Sequence, residues 1–193
     1  PRIAPVQVMI VPIQQKKEGV LDKAYELRDQ LRKSGFRVKV DDGDKSPGFK
    51  FADCEVRGIP LRIEVGPKDI EAGHAVLVRR DTREKIQVSF DELAEETGKL
   101  LEQIQQDMYD RAKTFLEEHT SSATNMDELV DIVNTKRGFV KAMWCGCREC
   151  EDKLKEMSGI TSRCIPFEQE TISDTCVVCG KPATKMVYWG RAY

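Results

Sequence analysis

The chain has 193 residues, a formal net charge of −2, and a composition that is 40% apolar and 33% charged. This length suits one domain with a smaller neighbour, and the apolar fraction is enough for a buried core. The absence of any run of eighteen apolar residues argues against a membrane span, and the near-neutral charge argues against wholesale wrapping in nucleic acid.

The charge is unevenly distributed along the sequence. Residues 32–85 carry thirteen Lys/Arg against ten Asp/Glu, whereas residues 91–118 carry three against nine. A locally basic first part can therefore meet RNA phosphates, while the acidic segment that follows it is expected to stay away from them.

The first half of the sequence alternates between strand and helix patterns. Residues 6–13 are a continuous apolar run, typical of a strand buried on both faces, and residues 18–36 show helical spacing with Gly35 at the C-cap. Further elements follow in chain order: a short strand at 37–40, a short helix at 47–58, a half-buried alternating strand at 59–66, and a hairpin of 74–80 with 84–90. This order predicts an α/β fold, with a mixed β-sheet and helices packed on it.

A long amphipathic helix is predicted from Phe90 to His119, and a polar break follows at residues 120–125. We therefore expect a first domain at residues 1–119, ending in this linking helix, and a smaller α+β domain at residues 120–193. The second domain has four predicted elements: a short helix at 126–138 with Asn125 as N-cap and Gly138 as its stop, a strand at 139–144, a helix around 149–158, and a final strand at 184–193.

Six of the seven cysteines lie in the last quarter of the chain, and five of these six occupy two short turns. Cys176 and Cys179 form a Cys-x2-Cys pair. The other turn, MWCGCREC at 143–150, offers Cys150 together with either Cys147 or Cys145. Both options have the spacing of zinc ligands, and the Cys147 option is the more familiar. Four thiolates leave no open coordination position, so the predicted zinc is structural and stabilises a small domain.

Other uses of the cysteines are less favoured by the sequence. Disulfide scaffolds normally spread an even number of cysteines through a short secreted chain, and a thioredoxin-like pair opens a helix after a central strand. Neither description fits these two turns. The remaining cysteines, Cys54 and Cys164, stand among apolar residues and are predicted to pack in the core.

Residues 27–85 resemble the anticodon-binding domain of class II aminoacyl-tRNA synthetases, and most of all the prolyl-tRNA synthetase family. The second domain, with its cysteines and the terminal YWGRAY, resembles the zinc-binding C-terminal domain of the archaeal- and eukaryotic-like form of that family. Threonyl-, glycyl- and histidyl-tRNA synthetases share the first domain but not this tail. The resemblance covers essentially the whole chain.

The resemblance implies that the first domain reads the two adjacent guanines shared by proline anticodons. It places this role on Glu55, Arg62 and Asp69, with Lys50 and Lys85 as weaker candidates for phosphate or stacking contacts. An arginine can donate to guanine O6 and N7, and carboxylates can accept from guanine N1–H and the amino group. From residue chemistry alone, a surface pair between Glu55 and Arg62 is the alternative interpretation.

For the second domain, the resemblance implies a Cys-x4-Cys pair followed by a Cys-x2-Cys pair. The zinc ligands would then be Cys145, Cys150, Cys176 and Cys179, and Cys147 would take no part. The terminal Tyr193, with its free carboxylate, would reach toward the catalytic domain of the full enzyme.

The function implied for the parent protein is the ligation of proline to its tRNA, with ATP and Mg as cofactors. The parent is expected to be a cytoplasmic homodimer that does not associate with membranes. No adenylate-forming domain and no catalytic residue is recognised in this sequence, and the chain starts at Pro1, so we expect a fragment that binds proline tRNA without charging it. The alternative is a standalone zinc-stabilised RNA-binding accessory protein.

Overall fold

The computed structural model describes residues 1–191. They divide into two compact units, Pro1–Tyr109 and the part from Asp110 onward. Each unit has its own β-sheet with helices packed on it, so the predicted mixed α/β class is confirmed. The division falls within the long helix, and the domain boundary at residues 119/120 stays a prediction.

The first unit contains a five-stranded mixed sheet. Its strands are β1 (Val8–Pro12), β2 (Val38–Val40), β3 (Leu61–Val65), β4 (His74–Arg79) and β5 (Lys85–Ser89), in the spatial order β2-β1-β3-β4-β5. β1 is parallel to β2 and to β3, whereas β3, β4 and β5 are antiparallel to one another. The three parallel strands therefore end at one edge of the sheet, which we call the carboxyl edge.

Three helices lie within this unit, α1 (Val20–Lys33), α2 (Pro47–Val56) and α3 (Pro67–Ala72), and a fourth, α4 (Leu93–Glu118), begins in it and ends in the second unit. One face of the sheet forms the main core with α1 and the first half of α4, through fully buried side chains such as Leu27, Leu61 and Leu93. α2 covers part of the opposite face, where Cys54 packs against Met9 and Val11 of β1. The rest of that opposite face carries charged side chains.

Two elements of the first unit differ from the sequence-based expectation. α3 is absent from the predicted elements because six residues are too few to show a helical period. β3 is buried along its whole length instead of on one face, because its two charged residues, Arg62 and Glu64, pair with each other and are covered. Alternation of charged and apolar residues normally indicates that one face of a strand is exposed to solvent, and for β3 that prediction is wrong.

The second unit contains a four-stranded sheet and two helices. The strands are β6 (Thr120–Ser122), β7 (Phe139–Trp144), β8 (Ile160–Cys164) and β9 (Lys185–Arg191), in the order β6-β7-β9-β8, and the helices are α5 (Met126–Thr135) and α6 (Arg148–Ser158). Its core is centred on Trp189, which is fully buried together with Leu129, Leu154 and Ile160. Asn125 caps α5 as predicted, since its side chain accepts from the Glu128 amide.

Two expectations for the second unit are wrong. Part of the predicted polar break is a strand, because β6 pairs in parallel with β7 through Thr120 and Phe139. Cys164 is exposed rather than in the core. It follows a register irregularity in β8 after Ser162, which shifts the alternation that would have turned its side chain inward. Within residues 1–191, no helix is both long enough and apolar enough to cross a membrane.

Gly138 fixes the junction at which β6 and β7 begin to pair. It has a φ of 126°, and a β-carbon at this position would lie 1.9 Å from the His119 carbonyl oxygen. That carbonyl accepts a 2.8 Å hydrogen bond from the Phe139 amide. The backbone thus approaches so closely that only glycine fits without a shift of the chain.

We expect Gly138→Ala to destabilise the second unit by about 3 kcal/mol, at the upper end of the usual range for one substitution. Both tryptophans of the chain, Trp144 and Trp189, lie in this unit, so denaturant unfolding followed by tryptophan fluorescence reports on it specifically.

The matched control is Gly159→Ala. Gly159 also has a positive φ, of 64°, but the nearest atom to an added β-carbon is Arg191 Cγ at 3.9 Å. Gly159→Ala should lower the free energy of unfolding only by the backbone strain, about 1–2 kcal/mol. Equal losses for the two variants would contradict the steric role of Gly138.

Candidate nucleic-acid interface and metal centre

Charged side chains gather on the face of the first sheet that lies opposite the main core. Side chains alternate along a strand, so Arg62 and Glu64 of β3 lie on the same face. The strand register brings Arg62 opposite Val78 of β4, and Val78 opposite Lys85 of β5. Arg62 and Lys85 therefore lie in one row on this face with Val78 between them, and Glu64 lies on the same face two residues further along β3.

The guanidinium group of Arg62 is held on two sides. Its Nε and Nη2 atoms donate to Glu64 Oε1 at 3.1 and 2.8 Å. The ring of Phe51, on α2, lies 4.1 Å from the guanidinium carbon, at the distance of a cation–π contact. Arg62 is only 8% exposed, so its orientation is fixed before any ligand arrives.

Glu64 joins the two basic residues of this row. Its second oxygen, Oε2, lies 3.3 Å from Lys85 Nζ. Glu64 is 9% exposed, whereas the side chain of Lys85 is 58% exposed, so the lysine reaches the surface while the carboxylate stays beneath it. Glu64 and Phe51 were missed in the sequence analysis. The i, i+2 spacing from Arg62 and the i, i+4 spacing from Phe51 to Glu55 are the signals that could have identified them.

Glu55 lies on α2, near the turn between β4 and β5. Its Oε2 atom is 3.5 Å from Arg83 Nη2, and its backbone carbonyl accepts from Arg80 Nε at 2.9 Å. Arg83 has a side chain that is 80% exposed, so this ion pair is worth little. Glu55 and Arg62 do not pair with each other; each has a different partner.

Asp69 lies in the first turn of α3, at the carboxyl edge. Its Oδ2 atom accepts from the Gly66 amide at 2.8 Å, and its Oδ1 atom is 3.3 Å from His74 Nε2. β4 runs from His74 to Arg79, so Asp69 and Glu55 lie near opposite ends of that strand, roughly 17 Å apart along it. The predicted residues thus span this face of the sheet, with Arg62 and Lys85 between the two carboxylates.

Lys50 differs from the other candidates because it is only 2% exposed. Its ammonium donates to Gln15 Oε1 at 2.9 Å and to the Asp41 carbonyl at 2.7 Å. These bonds engage it within the protein, and a direct contact with RNA would have to compete with them. That contact stays a prediction.

Four cysteine sulfurs converge in the second unit. Cys145 and Cys150 come from the turn between β7 and α6, and Cys176 and Cys179 come from the turn that precedes β9. All four sulfurs lie within 4.8 Å of one another, with 3.7 Å between Cys145 and Cys150 and 3.8 Å between Cys145 and Cys179.

These distances suit a metal better than a disulfide. A tetrahedron with Zn–S bonds of about 2.3 Å has edges of about 3.8 Å, whereas a disulfide bond is about 2.05 Å long. All seven cysteines are free thiols in the structure. The four-sulfur cluster could therefore hold a metal ion, and the residues present fit a structural zinc site.

The backbone around the cluster favours negative charge on one sulfur. Burial would raise the pKa of Cys176, but amide groups of Cys179, Val178 and Cys145 point at its sulfur and lower that pKa to about 7. Burial instead raises the pKa of Cys150. One thiolate is thus stabilised by amides, whereas the buried Cys150 needs the positive charge of a metal to ionise.

Cys147 lies outside the cluster. It is exposed, its sulfur is 3.2 Å from Glu149 Oε2, and it occupies the N-cap position of α6. Of the two options left open by spacing, the geometry brings Cys145 to the other three sulfurs. The ligand roles themselves stay a prediction. Cys54 is buried, as expected, and burial raises its pKa to about 11.

Comparison with known proteins assigns both units to one family. A family model described as "Anticodon binding domain" matches residues 7–100, and one described as "Prolyl-tRNA synthetase, C-terminal" matches residues 126–193. Proteins named "Proline--tRNA ligase" from Lachnospira eligens, Lachnoclostridium phytofermentans and Clostridium novyi are 61%, 62% and 60% identical to the chain over 193 residues. The chain belongs to the prolyl-tRNA synthetase family.

The match covers 100% of this chain but only 40% of the length of each of these relatives. The chain thus carries the anticodon-binding and C-terminal regions of a prolyl-tRNA synthetase. The predicted role of Tyr193 falls outside the described residues.

We expect Arg62→Ala to lower the free energy of unfolding of the first unit by about 3 kcal/mol, because it leaves the buried carboxylate of Glu64 with only Lys85 as a partner. Differential scanning calorimetry measures this loss. Arg57→Ala removes an arginine that is 49% exposed and paired with Asp53, and it should cost less than about 1 kcal/mol. A loss for Arg62→Ala as small as that of the control would contradict the structural role of the pair.

Proposed function

We propose that this chain reads the anticodon of proline tRNA within a proline–tRNA ligase. The observation that carries the proposal is the rigidly held Arg62 on the charged face of the sheet of an anticodon-binding domain, flanked by Glu55 and Asp69. The ligase activity, with its ATP and Mg and a separate catalytic domain, would belong to the whole protein. We expect that protein to be a cytoplasmic homodimer.

Arg62 is suited to guanine because Glu64 engages only half of its guanidinium. Glu64 accepts from Nε and from one hydrogen of Nη2, so the edge formed by Nη1 and Nη2 can donate to guanine O6 and N7. Phe51 prevents the guanidinium plane from rotating. The cost of ordering this long side chain is therefore met during folding and not during binding.

The carboxylates supply the complementary chemistry. Asp69 uses Oδ2 for the Gly66 amide, which leaves Oδ1, beside His74, to accept from a guanine N1–H or amino group. Glu55 is held only by an exposed ion pair to Arg83, which can be exchanged for a base at little cost. Lys85, whose ammonium is at the surface, can contact a phosphate or a base face.

The four cysteines would hold a structural zinc ion. Cys145, Cys150, Cys176 and Cys179 provide four thiolate ligands with no open position, so the ion would supply folding energy rather than chemistry. A standalone accessory protein is not favoured, because relatives that match over the whole chain are named as proline–tRNA ligases.

Proline tRNA should bind this chain more tightly than the same tRNA with either anticodon guanine replaced, by roughly 5- to 150-fold per guanine. Arg62→Lys keeps the positive charge beside Glu64 but loses the planar fork, so it should weaken binding of the parent tRNA and reduce this discrimination. Fluorescence anisotropy with labelled tRNA measures both quantities.

Arg57→Lys is the matched control, because it makes the same chemical change at an exposed position of the same unit. It should leave affinity and discrimination unchanged. Equal affinity of the parent chain for proline tRNA and for the two guanine-replaced tRNAs would contradict the proposed function. Undiminished discrimination by Arg62→Lys would show that Arg62 does not contact the guanines.

We expect the chain to contain about one zinc per molecule, measured by atomic emission after dialysis. Cys145→Ser should lose the metal and destabilise the second unit, because only three sulfurs remain at the site. Cys147→Ser is the control, since its sulfur lies outside the cluster, and it should retain the metal. Loss of zinc from Cys147→Ser but not from Cys145→Ser would reverse the ligand assignment.

A further inference from the structure

A cleft of about 440 Å³ opens at the carboxyl edge of the first sheet. The loop that follows β1 lines it with Gln15, Lys16 and Lys17, and the segment between β2 and α2 lines it with Asp44 and Lys45. Ligands of open α/β sheets commonly bind at this edge, outside the carboxyl ends of parallel strands.

The cleft carries an excess of positive charge that the protein does not neutralise. Lys16, Lys17 and Lys45 are exposed, and within residues 1–191 none of their ammonium groups lies within ion-pair distance of a carboxylate. Asp44 is the one acidic residue among the residues that line the cleft. Uncompensated lysines around a concave surface attract an anion.

The two loops are tied together before any ligand binds. Gln15 Nε2 donates to the Asp42 and Gly43 carbonyls at 3.0 and 3.1 Å. Its Oε1 atom accepts from Lys50, which also donates to the Asp41 carbonyl. The buried Lys50 thus fixes the floor of the cleft, and the shape of the cleft is preorganised.

The cleft adjoins the part of the sheet that holds Asp69. The Ile13 amide, which begins the lysine-bearing loop, donates to the Val65 carbonyl at the end of β3 at 2.8 Å. Gly66 follows Val65, and its amide donates to Asp69. A nucleic-acid strand whose bases lie on the charged face can therefore continue into the cleft with its backbone.

We propose that Lys16, Lys17 and Lys45 bind a backbone phosphate of the RNA whose bases are read on the sheet face. This inference rests on the proposed function and adds a second contact to it. Lysine is a point charge that suits phosphate and carries no base code. The cleft is a poorer site for a small free anion, because Lys16, Lys17 and Lys45 are all exposed to solvent and do not enclose it.

The test is the salt dependence of RNA binding by the double variant Lys16→Gln/Lys17→Gln. The slope of log affinity against log salt should become shallower by about 0.7 for one lost phosphate contact to a single strand. Binding should weaken by the same factor for proline tRNA and for the guanine-replaced tRNAs. Lys45→Gln, from the other loop, should act in the same direction.

The control is Lys33→Gln/Lys99→Gln, which removes the same charge from α1 and α4, outside the residues that line the cleft. It should leave the slope unchanged. A slope for the cleft variant that equals that of the parent would overturn the phosphate contact, whether or not the parent discriminates guanine.

The two proposals can fail separately. If the parent binds RNA but does not discriminate guanine, the proposed base reading fails and the slope comparison still decides the cleft. If the chain binds no RNA at low salt, both fail. Binding of inorganic phosphate or ATP that the double variant loses, with RNA affinity unchanged, would assign the cleft to a small anion and overturn the RNA contact.

Discussion

The ion pair between Arg62 and Glu64 is the interaction that organises the charged face of the first sheet. Each residue is less than 10% exposed, and each would be costly to bury alone. The pair lets β3, the central strand of the sheet, carry two buried charged residues. It also turns a flexible arginine into a fixed donor, because Glu64 and Phe51 leave the guanidinium only one orientation. Stability and recognition therefore depend on the same bonds.

The second unit differs from the first because it has few buried apolar residues to stabilise its fold. Its main apolar cluster is small, and a separate cluster surrounds Cys150 and Cys176 beside it. Four sulfurs from two turns that are distant in sequence meet at this point. A bound metal would join the turn after β7 to the turn before β9, and it would replace apolar burial that so few residues cannot provide.

Most of the fold could be predicted from the sequence because apolar periodicity is local. It located β1, α1, the β4–β5 hairpin and α4. It missed β6, which is a strand only because Thr120 pairs with Phe139, and it placed Cys164 inside because a bulge cannot be read from alternation. Within the site, the candidate residues were found by resemblance. Their partners, Glu64 for Arg62 and Gln15 for Lys50, depend on side-chain contacts and became visible only in three dimensions.

The position of β9 in the second sheet has a consequence for synthesis of the protein. β9 lies between β7 and β8 and pairs with both, so these two strands are not joined in one sheet until residues 185–191 exist. The first sheet, by contrast, has all of its strands once Ser89 has been made. On the ribosome, the first unit can begin to fold while the second is still an open chain. The unpaired edge of β7, whose sequence FVKAMW is mostly apolar, would then be most vulnerable to aggregation during this interval.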